Sequence, residues 1–111
     1  MAADPYVAKR NDTRQYLERT LQNADGTAID LSGAEVVFNM RLRNSSTLKI
    51  DGGTVTVVTA ASGIVQYEWE DGDLDTAGFY EGEFEVTFGD STVITVPNEE
   101  HIPITVIADL G

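Results

Sequence analysis

Between Gly78 and Phe88 the chain reads GFYEGEFEVTF, and this run constrains the fold more than any other. In an extended chain Tyr80, Phe84, Val86 and Phe88 fall on one side. Phe79, Glu81, Glu83, Glu85 and Thr87 fall on the other, because side chains alternate along a strand. One apolar face and one acidic face describe a strand in a sheet that packs on a single side. The pattern contains no reacting centre. It points to a scaffold that works through its surface.

The same alternation recurs along the chain. Thr13–Gln22 is expected as a first strand, with Leu17 and Leu21 inward. Asp25-Gly26 supplies the positive φ of a tight turn. In Ala34–Arg43, Val36, Phe38, Met40 and Leu42 share one face, and Glu35, Asn39, Arg41 and Arg43 the other. Leu48 and Ile50 lie on one side of a short strand ending at Asp51-Gly52-Gly53. Thr54–Thr59 alternates threonine and valine, which suits a pleated surface. Gly63–Trp69, Gly78–Phe88, Thr92–Pro97 and His101–Ala108 follow, the last with Ile102, Ile104 and Val106 inward. Pro97 and Pro103 cannot donate to a ladder and mark strand ends or an edge. About eight short strands with turns between them predict an all-β fold, an antiparallel immunoglobulin-like β-sandwich. At 111 residues there is room for one core. Residues 1–12 read as a polar arm and residues 13–111 as the sandwich.

Charge divides the chain. Residues 1–49 hold seven bases and six acids; residues 50–111 hold thirteen acids and no lysine or arginine, for a net charge of −12. Such a surface repels phosphate backbones, so nucleic acid is not an expected partner. No apolar stretch reaches the ~18 residues of a membrane span. The first residues, MAADPYVAKRNDTRQ, lack an apolar run of signal-peptide length, and folding in the cytoplasm is expected. With no cysteine, disulfides and thiolate metal sites are excluded.

Five local patterns could carry chemistry, and each has a structural reading beside it. Asp71, Asp73 and Asp75 have the alternation of a calcium loop, but the positions that want Gly and Glu hold Thr76 and Gly82. The structural reading is a turn whose carboxylates accept backbone N–H groups. Tyr80, after Asp75-Thr-Ala-Gly78, resembles the tyrosine of a sandwich corner, with its hydroxyl bonded back to the chain. Trp69 shares a face with Val65 and Tyr67 and is expected in the core. His101, the only histidine, has no activated nucleophile near it in sequence and reads as a surface residue at a strand start. Glu81, Glu83 and Glu85 form an acidic ladder that costs stability unless a cation lies opposite. Arg19, Arg41 and Arg43 are the available cations, on a neighbouring strand or a second copy. No catalytic residue and no cofactor are expected.

The ordered set DLSGAEVVFNMR (30–41), the Gly52-Gly53 break, GIVQYEW (63–69), DTAGFY (75–80) with EFEV (83–86), and Val96-Pro97-Asn98 resembles a known family. It is similar to the N-terminal domain of siphophage baseplate upper proteins and to small immunoglobulin-like domains of tailed-phage virion proteins, over roughly residues 13–107. That resemblance implies a domain anchored to a virion platform in a trimeric or larger ring, although this sequence stops at Gly111 without a following module. The function expected from it is a structural virion protein on the tail, baseplate, neck or capsid, docking to other virion proteins and to copies of itself. The alternative is a carbohydrate- or host-receptor-binding module assisted by calcium at Asp71, Asp73 and Asp75. The arm residues Tyr6, Val7, Lys9 and Arg10, with Arg41, Arg43, Glu81, Glu83 and Glu85, are the expected interface.

Overall fold

The computed structural model describes residues 4–97 and 100–108. Nine strands run in the order β1 (Tyr6–Lys9), β2 (Tyr16–Thr20), β3 (Glu35–Leu42), β4 (Leu48–Thr54), β5 (Thr56–Thr59), β6 (Ile64–Glu68), β7 (Gly78–Thr87), β8 (Val93–Val96) and β9 (Ile102–Ile107). A single 3₁₀ turn, Ala60–Ser62, stands between β5 and β6. The expected β-sandwich is found, with one strand more than the sequence showed.

Two sheets face each other. The larger runs β1-β9-β7-β3-β4, with β8 also on β7. The register explains how two strands share one edge. β9 pairs with Gly78–Gly82 and β8 with Phe84–Thr87, while β3 spans β7 from Tyr80 to Thr87 on its other side. The smaller sheet is β2-β6-β5. β4 and β5 are nearly continuous, so the chain crosses from one sheet to the other at Val55. All pairs are antiparallel except β1 with β9, which is parallel. That pair corrects the reading of residues 1–12 as an arm: Tyr6–Lys9 form a strand of the large sheet. Residues 1–3 lie outside the described part of the structure.

The core sits between the sheets. From the large sheet Phe38 and Phe84 stack at 5.1 Å. From the small sheet Tyr67 meets Phe38 at 4.8 Å and Trp69 meets it edge-on at 6.0 Å. Leu17, Leu21, Val65 and Trp69 are buried as their spacing predicts. Leu42 keeps the register of Val36, Phe38 and Met40, opposite the buried Tyr80, but as the last residue of β3 it is exposed. Leu48 and Ile50 do not share a side, because the β3–β4 ladder shifts register between Met40 and Arg41. Ile50 is buried and Leu48 turns outward.

Glycine marks two close approaches. β4 continues through Gly52-Gly53, where a break was expected, because the Gly53 backbone lies against the Tyr67 ring; a Cβ there would stand 2.6 Å from Tyr67 Cε1. At Gly63, φ is +70° and a Cβ would meet the carbonyl oxygens of Leu21 and Ile29 at 2.7 and 2.8 Å. No side chain fits there without moving backbone. Three turns share another device. The carboxylates of Asp25, Asp30 and Asp90 each accept the backbone N–H and hydroxyl of the residue two further on, Thr27, Ser32 and Thr92. These bonds hold all three carboxyl groups below the usual carboxylate range, the hydroxyl bond having the larger effect.

Candidate functional site on the outer face of the large sheet

Alternation along β7 turns Phe79, Glu81, Glu83 and Glu85 away from the core, as the sequence predicts. Register then decides what each one meets. Arg41 on β3 lies directly opposite Glu81, and Arg41 Nε is 3.3 Å from Glu81 Oε1. Pro103 on β9 lies opposite Glu81 on the other side, so His101, two residues earlier, stands level with Glu83. Its ring is placed between two carboxylates: Nδ1 is 3.5 Å from Glu81 Oε2 and Nε2 is 3.5 Å from Glu83 Oε1. A neutral imidazole has one N–H to offer these two acceptors, and an imidazolium has two. Glu85 faces Val37 and Thr95, with no cation in register.

His101 on one flank and Leu48 on the other raise the sides of a shallow, open groove of about 210 Å³ over Arg41, Glu81 and Glu83. The groove has no hydroxyl or thiol in its lining. Its carboxylates are already met by Arg41 and His101. What it offers is a patch of alternating charge.

An apolar row flanks that patch. Val7 on β1 pairs with Thr105 on β9, and Thr105 pairs with Phe79 on β7. Val7 is 57 % exposed, Phe79 59 % and the neighbouring Ile107 46 %. The Arg43 guanidinium lies 5.6 Å from the Phe79 ring centroid, and the Arg43 N–H donates to the Phe79 carbonyl at 2.8 Å. Arg43 therefore stacks on an aromatic and makes no ion pair with the acidic ladder. Arg19 is also elsewhere: its Nη2 donates to the Asp4 carbonyl at 2.7 Å.

The candidates from the first residues separate. Val7 and Lys9 face outward. Tyr6 faces inward, with its ring 5.6 Å from Trp69 and its hydroxyl accepting the indole N–H at 3.0 Å. Tyr6 thus belongs to the core rim. The Arg10 N–H donates to the Ile107 carbonyl and extends the β1–β9 pairing.

The Asp71–Asp75 loop is built as a turn. Asp73 Oδ2 accepts the Tyr67 hydroxyl at 2.6 Å and the Glu70 N–H at 2.9 Å. Burial, then Asp73, pushes the Tyr67 phenol well up. Asp75 is paired with Lys49 and also accepts the Thr76 hydroxyl, and those bonds hold its carboxyl below the ordinary range. Asp71 is exposed. Among the described residues no group of three or more His, Cys, Asp or Glu side chains is placed to hold a metal ion. Tyr80 donates its hydroxyl to the Thr76 carbonyl at 2.7 Å, which closes the corner that the DTAGFY segment suggested.

Sequence reasoning missed the strand character of residues 6–9, the seat of His101 and the Val7–Phe79–Ile107 row. A period-2 signal was present for the last two, at positions 101, 103, 105 and 107. Only the register shows what those residues face.

No family model matches the chain, and no curated protein matches it. Among solved structures it is similar to that described as the crystal structure of CopC from Methylosinus trichosporium OB3b. That match has a TM-score of 0.54 and 10 % sequence identity over 98 % of this chain and 89 % of that one. At this identity the likeness is one of fold, and it supports the β-sandwich. It corrects the functional expectation: the solved structure found similar is CopC, which gives no support to a phage virion role. The virion role and its receptor- or glycan-binding alternative are not retained.

Proposed function

We propose that this chain is a non-enzymatic β-sandwich domain that meets another protein on the outer face of its large sheet. One observation carries the reading. Of the eight large apolar side chains exposed among the described residues, five (Val7, Leu48, Phe79, Val93 and Ile107) project from that one face. Val7, Phe79 and Ile107 form an exposed apolar row beside a polar network, a combination found at protein contact surfaces. Arg43, over the Phe79 ring, and Phe79 itself are residue types enriched at such contacts. The net charge of −12 disfavours phosphate-bearing partners.

The test is site-specific cross-linking in the cell of origin. A photoreactive phenylalanine analogue replaces Phe79 in one variant and Val58, exposed on the small sheet, in another. A discrete adduct from position 79 and none from position 58 is expected. Equal adducts from both positions, or none from either, would remove the reading.

A further inference from the structure

We infer that the occupant of this face is a second copy of the chain, related by a two-fold axis with the strands of the two copies antiparallel. The inference rests on the docking face proposed above and names its partner. The observation behind it is the order of charge along the strands. At one end of the face stand Lys9, level with Ile107, and Arg43, stacked on Phe79. Toward the other end stand Glu85 on β7 and Glu35 on β3, beside Thr87, while Glu83 lies midway, opposite Asn39. Apolar side chains occur at both ends, Val7, Phe79 and Ile107 at the first and Val93 at the second.

A two-fold interface must be its own complement. Turning a second copy end over end brings its Glu35 and Glu85 toward Arg43 and Lys9 and its basic end toward Glu35 and Glu85, so the charge match is made twice. A foreign partner would need only one such match. Size sets the strength. The face measures roughly 24 by 26 Å from strand spacing and rise, about 600 Å² per copy. A standard interface buries about 800 Å² per partner. Two bodies of charge −12 also repel. At ~0.15 M salt the screening length is ~8 Å, so repulsion fades while contact pairs persist. The dimer is therefore weak and dependent on concentration.

Light scattering or sedimentation at ~0.15 M salt, from micromolar to about 1 mM, tests this. The wild-type mass is expected to rise from 12.0 kDa toward twice that value. Two charge-reversal variants, Glu35→Lys with Glu85→Lys and Lys9→Glu with Arg43→Glu, are each expected to stay monomeric. Mixed in equal amounts they should associate, because each then presents the charge the other lacks. Circular dichroism on each variant, and the recovery in the mixture, separate lost association from lost folding. A wild-type chain that stays at 12.0 kDa at 1 mM overturns the second-copy inference. So does a mixture that fails to associate while the wild type dimerises. A position-79 cross-link of a mass other than a dimer would end this inference and leave the docking face standing.

Discussion

At the residue scale, single hydroxyls and carboxylates fix the turns. Tyr80 sits within the core rim and its hydroxyl closes the corner on the Thr76 carbonyl. Tyr80→Phe removes that bond and leaves the carbonyl to find water, so a loss of about 1 kcal/mol is expected in urea unfolding, with the fold unchanged. The three Asp turns predict acid behaviour. A carboxyl held low in the folded state contributes stability above its unfolded value, ~3.9, and that stability is lost as pH falls through the lower folded value. Replacing Asp25, Asp30 and Asp90 together by Ala should lower stability at neutral pH and flatten its decline below pH ~4. Parallel wild-type and triple-variant curves would show that the bonds contribute nothing. Much of this was legible, since Asp followed two residues later by Thr or Ser is a local signal.

At the element scale, faces could be read and neighbours could not. The period-2 pattern placed Phe38, Phe84, Tyr67 and Ile104 correctly because burial follows alternation. β1 was unreadable for a physical reason: four residues with one buried side chain, Ala8, carry almost no pattern, and their partner strand lies at the far end of the chain. The structure makes that strand testable. Tyr6→Ala uncovers Trp69, so a red shift of the single tryptophan's emission and a loss of about 2 kcal/mol are expected, below the 3–5 of a fully buried aromatic. Unchanged emission would mean that β1 does not cover the indole. The glycines give a ranking. Gly63→Ala meets two backbone oxygens at positive φ, whereas Gly53→Ala meets a side-chain ring and Ile50. Gly63→Ala should be the more damaging, by ~1–3 kcal/mol in chemical denaturation.

At the scale of the whole molecule, architecture was legible and function was not. Turn chemistry and alternation give a β-sandwich from almost any stretch of this chain. Function depends on which side chains the register gathers, and a motif order shared with a family could not supply that. His101 illustrates the point: nothing in its sequence neighbourhood singles out Glu81 and Glu83, yet it sits between those two carboxylates once β9 is paired with β7. The uncovered face follows from the same geometry, because the small sheet shields only one side of the large one. Solution mass at rising concentration is the measurement that speaks to it most directly.

The parallel pairing of β1 with β9 has a temporal consequence. On a ribosome the first strand emerges early, and the strand it must join is among the last to appear. Until then Trp69 lacks its Tyr6 lid, and the edge of β7 that receives β8 and β9 is bare. The large layer therefore stays unfinished until residues 102–107 have emerged, and only then can residues 6–9 dock.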